Sequence, residues 1–238
     1  MELTELQDLA RLGLHFGHLR RYTHPKSRSY VYTVANGVCV IDLEKTKELL
    51  EKALQFVKEL AQDNKMILFV GTKRQASRII KEKAESVNMP YVNKHFIAGT
   101  LTNFQTFLKN IQKLNQLETE ETAFGGKSKK EQRRLMKAKK RLLDSVGGLK
   151  QMIRLPDALF VIDAAREKNS IFEARRLGIP IIALVDTNGD PSQIDYPIPG
   201  NDDSEKGIEF IVNRVVETYA QAQGKKKKRT RKEGNGDN

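Results

Sequence analysis

Five aspartates crowd a short stretch near the C-terminal end of this chain: Asp186, Asp190, Asp195, Asp202 and Asp203. They lie in IPIIALVDTNGDPSQIDYPIPGNDD, where an apolar run from Ile179 to Val185 stops abruptly at Asp186-Thr187-Asn188-Gly189-Asp190-Pro191. An apolar run bounded by turn residues reads as a strand buried on both faces of a parallel sheet. Polar loops at the carboxyl ends of such strands are where open α/β sheets hold their ligands. Oxygen ligands of this kind suit a divalent cation. The same residues also suit helix capping and Asx turns, and Asn201-Asp202-Asp203 directly before a helix fits that use well.

Gly71-Thr72-Lys73-Arg74 stands between a predicted strand and a predicted helix, a favourable place for a phosphate. It has one glycine, where a dinucleotide fingerprint needs three and a Walker loop needs a second before Lys-Ser/Thr. Gly126-Lys127-Ser128 resembles the end of a Walker loop, but Glu121 stands where its first glycine belongs and no strand precedes it. His15 and His18 are spaced His-x-x-His with His24 nearby, yet Gly17 lies between them and no partner ligand is evident. No serine or cysteine has a nucleophile-elbow context, and no constellation for general acid–base chemistry emerges.

The basic residues are better organised. Arg20, Arg21, Lys26 and Arg28 flank Tyr22 and His24. Lys129, Lys130, Arg133, Arg134, Lys137, Lys139, Lys140 and Arg141 crowd one segment, and Lys225–Lys228, Arg229, Arg231 and Lys232 another. With a formal net charge of +12, these runs point to a polyanion, RNA or DNA, as partner. No run approaches the ~18–20 apolar residues that cross a bilayer. MELTELQDLARLG lacks the basic start and apolar middle of a signal peptide. Cys39 is the one cysteine, which excludes an intramolecular disulfide and a cysteine-built zinc site. A reducing cytoplasm is the expected location.

Elements that position these residues follow from periodicity. A short N-terminal helix ends at Gly13. Tyr30–Val34 and Val38–Ile41 form a hairpin through Asn36-Gly37. Leu49, Leu50, Ala53, Leu54, Val57 and Leu60 make one stripe of a long helix. Met66–Val70, Tyr91-Val92, Asp157–Ile162, Ile179–Val185 and Tyr196-Pro197 read as strands alternating with helices, hence a mainly parallel sheet with βαβ crossovers. Between the second and third strands, Phe104, Phe107, Leu108, Ile111 and Leu114 and then Leu135, Ala138, Leu142, Val146 and Leu149 keep helical spacing, which predicts an inserted antiparallel helical hairpin. The predicted division is a discontinuous α/β body over 1–103 and 148–223, the hairpin over 104–147 and a disordered basic tail over 224–238. The tail has no apolar residue to offset its ordering entropy.

Several strings resemble one family. They are Gly13-Leu14-His15-Phe16-Gly17-His18, Ile41-Asp42-Leu43-Glu44-Lys45-Thr46, Ile67-Leu68-Phe69-Val70-Gly71-Thr72-Lys73, Gly99-Thr100-Leu101-Thr102-Asn103-Phe104, Leu155-Pro156-Asp157-Ala158-Leu159-Phe160-Val161 and Asp195-Tyr196-Pro197-Ile198-Pro199-Gly200-Asn201-Asp202-Asp203. In this order, over nearly the whole chain, they resemble bacterial small-subunit ribosomal protein two. The resemblance implies a flavodoxin-like parallel five-stranded sheet with a protruding helical hairpin and a non-enzymatic role in the small ribosomal subunit. It implies contact with 16S rRNA at the head–body junction, neighbouring small-subunit proteins, and help in holding small-subunit ribosomal protein one, which captures messenger RNA. Two departures stand out: Phe96-Ile97-Ala98-Gly99 where the family has Trp-Leu-Gly-Gly, and Asp163-Ala164-Ala165-Arg166 where many relatives have Asp-Pro-Arg.

Arg20, Arg21, Lys26, Arg28, Lys73, Arg74 and Lys94 are therefore expected to contact RNA phosphates. Thr100, Thr102 and Asn103 are expected to meet sugar or backbone. No cofactor, metal, membrane or small-molecule substrate is expected. The competing reading is a flavodoxin-like enzyme that holds a nucleotide or phosphorylated metabolite at the strand ends.

Overall fold

The computed structural model describes residues 6–120 and 128–233, with side chains described through 119 and from 128 to 224. Helix α1 (Leu6–Arg11) ends before Gly13, whose φ of +74° is the left-handed conformation of a glycine stop. Strand β1 (Phe16–Leu19) follows, then two 3-10 turns, Arg20–Tyr22 and Pro25–Tyr30. Strands β2 (Val31–Ala35) and β3 (Val38–Ile41) form the expected hairpin. Asn36 and Gly37 both take positive φ, as a two-residue turn with the strands' own twist requires.

Pairing of β1 with β3 makes this a three-stranded antiparallel sheet. The composition of the basic stretch predicts no strand there. A strand formed by pairing across the sequence leaves little trace in local composition.

Asp42 caps helix α2 (Leu43–Gln62), accepting the N–H groups of Glu44 and Lys45. Strand β4 (Ile67–Val70), helix α3 (Arg74–Ser86) and strand β5 (Tyr91–Val92) complete the first βαβ unit. The hairpin arms are α4 (Phe104–Glu120) and α5 (Lys129–Val146). Ser128 caps α5 by accepting the Glu131 N–H, so this serine of the Walker-like string starts a helix; Gly126 and Lys127 lie outside the described residues. Strand β6 (Ala158–Ile162), α6 (Lys168–Arg176), β7 (Ile181–Val185), β8 (Tyr196–Pro199) and α7 (Glu205–Glu233) follow.

The main sheet is entirely parallel, in the order β5-β4-β6-β7-β8. That is the flavodoxin-like order, with its switch point between β4 and β6. Every residue of β4, β6 and β7 is buried. One face packs on α2, α3 and α7 through Phe69, Phe160, Ile182 and Ile211. The other packs on α6 and the hairpin base through Leu68, Val161, Ile111 and Leu149.

Helix α7 continues to Glu233, well beyond Gln223, where loss of apolar residues predicts its end. Lysine and arginine are good helix formers, and a nucleated helix extends at little cost. The remainder of the expected disordered tail, 234–238, lies outside the described residues, as do 1–5 at the start of the N-terminal helix predicted from Leu3.

Candidate nucleic-acid interface

The switch-point crevice is filled by the chain's own side chains. Lys73, at the start of α3, places its ammonium 2.5 Å from Asp202 Oδ1, 2.6 Å from Asp203 Oδ1 and 3.5 Å from Asp163 Oδ2. Its side chain is 13% exposed. Burial alone would depress this ammonium, but the bonds to Asp202 and Asp203 more than reverse that, and its pKa is raised. Asp202 is pushed up to about 7 by burial, then by Asp163 and Asp186, against the opposing pull of Lys73. Thr72 donates both its N–H and its hydroxyl to Glu167 Oε1, and Arg166 Nε donates to Thr72 Oγ1. Burial raises the Glu167 pKa above its ordinary value. The place a phosphate would occupy is taken by carboxylates, with Lys73 as their counterion.

The Asp186–Asp190 loop clamps the small sheet onto the main one. His18 N–H donates to Thr187 Oγ1 at 2.9 Å, His24 N–H to Thr187 O at 2.8 Å, and Ser27 Oγ to Gly189 O at 2.6 Å. Gly17 has no room for a side chain: a Cβ there would stand 2.7 Å from Thr187 Cγ2. His18 Nδ1 lies 3.1 Å from Asp186 Oδ1, an ion-pair contact rather than an aligned hydrogen bond. The neighbouring Asp186 raises the His18 pKa, against burial. His15 stacks obliquely on Phe16 instead of joining His18. Among the described residues, no group of three or more His, Cys, Asp or Glu is arranged to hold a metal ion.

The Gly-Thr-Leu-Thr-Asn string folds around a residue that sequence reasoning missed. Buried Glu173, on α6, accepts the N–H groups of Gly99, Leu101 and Thr102 and the Thr102 hydroxyl. Thr100 is buried, and its hydroxyl donates to Ile97 O at 2.6 Å. Asn103 is exposed, and its backbone opens α4 by bonding Gly99 O and accepting the Phe107 N–H. The signal for Glu173 is weak: a lone carboxylate at an inward helix phase beside Ile171 and Ala174. Gly99 takes φ of +90° while Ala98 stays out of the left-handed region, so the departure at Ala98 is accommodated without strain.

The remaining predicted cations divide into two kinds. Lys26 reaches Asp190 at 3.3 Å, and Lys94 pairs with Asp144 of α5. Arg20, Arg21, Arg28 and Arg74 are exposed and have no carboxylate partner among the described residues. Arg21 stacks over the Tyr22 ring, 4.8 Å from its centroid. On α5, Lys129, Lys130, Arg133, Arg134, Lys137, Lys140 and Arg141 are all exposed, forming a cationic surface on the hairpin arm.

The structure thus presents a small antiparallel sheet clamped to a flavodoxin-like body, a helical hairpin and exposed cations. The family model for ribosomal protein S2 matches residues 9–222, which takes in both sheets, the hairpin and most of α7. The chain belongs to the ribosomal protein S2 family, whose members are structural proteins of the small ribosomal subunit.

Proposed function

We propose that this protein binds 16S-type rRNA near the head–body junction of the small subunit and helps to anchor small-subunit ribosomal protein one for messenger RNA capture. One contrast supports RNA binding, while the head–body position and the anchoring role rest on what the family resemblance implies. The switch-point crevice at the start of α3 is occupied by Lys73 and its carboxylates, while Arg20, Arg21, Arg28, Arg74 and the α5 cations named above stand exposed at the surface. Exposed cations neutralise phosphates and release counterions, so affinity falls steeply with salt. Arg21 on Tyr22 adds a flat surface suited to a base or sugar edge. Lys26 and Lys94 join this surface when RNA competes with Asp190 and Asp144, and Asn103 meets it from its exposed position. Thr100 and Thr102 act indirectly, by holding the loop that presents Asn103. Tyr32 and Val34 on the small sheet offer an exposed apolar face for a protein neighbour.

The role is placement, not chemistry, and its place is the ribosome in the cytoplasm. Sucrose-gradient sedimentation of a lysate at low and high salt tests it. Co-migration with the small subunit, loosened by salt, is the expected result. A chain that stays at the top of the gradient in gentle salt would overturn it, and a thermal shift with a nucleotide and flavin panel would then decide for the enzyme reading.

A further inference from the structure

Beside the edge strand β8, helix α2 and Tyr196 enclose a shallow groove of about 420 Å³. Its floor is Phe56 stacked on Tyr196, with ring centroids 4.2 Å apart and planes 9° from parallel. Its rim is Glu48, Glu51, Lys52, Gln55 and Glu59. Lys52 is engaged by Glu48 at 2.6 Å, and Gln55 donates to Glu59 at 3.0 Å. Glu51 has no ion pair among the described residues, and three carboxylates face one ammonium. Burial first, then the charges of Glu59 and Asp195, raise the Tyr196 phenol pKa. On a chain of net charge +12, this rim carries three glutamates and one lysine around an aromatic floor.

We propose that this groove docks an arginine-bearing basic polypeptide segment of a protein partner. Carboxylates repel RNA phosphate, so the rim selects against nucleic acid. The parts of Phe56 and Tyr196 that line the groove can receive a planar guanidinium, and the glutamates accept its N–H groups. Pro197 and Pro199 remove two amide donors from the sheet edge, so recognition comes from side chains and not from strand addition. The groove is built on α2 and β8, elements other than those that carry the exposed arginines, and does not depend on the ribosomal reading.

Titration of a fluorescent oligoarginine peptide with the purified full chain at low salt tests it. Saturable binding is expected, about threefold tighter for oligoarginine than for oligolysine. Glu51→Gln with Glu59→Gln alters exposed side chains only and is expected to weaken binding about tenfold. Phe56→Leu, checked for folding by circular dichroism, is expected to erase the arginine preference. Absence of saturable binding, or binding indifferent to the two glutamate substitutions, overturns the proposal. Displacement of the peptide by oligouridylate that depends on Phe56 overturns it in favour of RNA.

Discussion

Lys73 Nζ stands 2.5 Å from Asp202 Oδ1, joining the loop after β4 to the loop after β8 across the carboxyl end of the sheet. This bond turns a crevice of ligand-binding type into a structural tie. Asp202 is 1% exposed, so water cannot take over the role of its counterion. Lys73→Met removes the counterion of a buried carboxylate, and the expected loss is about 3 kcal/mol of unfolding free energy. Urea denaturation measures it. Adding Asp202→Asn to Lys73→Met should recover part of the loss, because the two residues couple.

Stability should fall as pH rises from mildly acid to alkaline. Asp202 has its folded pKa raised from 3.8 to about 7, and His18 is raised above 6.5. For both groups the folded state holds its proton more tightly than the unfolded chain. The stabilisation is therefore complete below the unfolded pKa and is lost as pH climbs through the folded one. Asp157 and Asp190 are lowered and act oppositely, with losses only as pH falls below about 4. The urea midpoint should be higher near pH 5.5 than near pH 8. Asp202→Asn should remove most of that difference.

Glu173→Gln should loosen the loop that opens the hairpin. One carboxylate now takes three backbone N–H groups and a hydroxyl. An amide carbonyl replaces that charge with a weaker acceptor and aims an NH₂ at donors. A loss of about 2 kcal/mol is expected. Faster hydrogen exchange at the Leu101 and Thr102 amides is the local readout; unchanged exchange would refute the clasp.

Gly148→Ala should disturb the seat of the hairpin on the sheet. A Cβ there would stand 2.4 Å from Tyr91 O and 2.7 Å from the Tyr91 ring. Backbone on one side and a half-buried ring on the other leave no easy relief. Destabilisation of about 2 kcal/mol is expected, measured by urea denaturation. The Lys94–Asp144 pair, which spans the same junction, should weaken with it.

Neutralising Lys129, Lys130, Arg133 and Arg134 to glutamine should leave folding intact, because all four are exposed. It should lower the salt sensitivity of association with the small subunit. Removing one phosphate neutralisation reduces the slope of log affinity against log salt by about one. Sedimentation across a salt series gives that slope, and an unchanged slope would remove this arm from the RNA surface.

Periodicity is enough to locate the strands and helices of the main sheet, because residues buried on both faces, such as Ile67–Val70 and Ile181–Val185, must be apolar whatever packs on them. Asn36-Gly37 and the stripes of α4 and α5 are legible for the same local reason: turn and helix phase are properties of neighbouring residues. Strand β1 is not legible, since Phe16–Leu19 becomes a strand only by pairing with β3. Nor is the use of the charged residues. Lys73 and Arg74 are adjacent cations in the sequence, yet one is turned onto three carboxylates and the other is left in solvent. Asp202 reads in the sequence as a capping or cation-binding aspartate and Glu173 carries little signal, yet both are buried anchors. A charge shows in the sequence, but its partner is set by which loops the parallel crossovers bring to one end of the sheet, through bonds as distant along the chain as that from Lys73 to Asp202. The sequence determined the elements of the main sheet and the sign of the net charge; the tertiary structure decided which charges are joined to each other and which remain for another molecule.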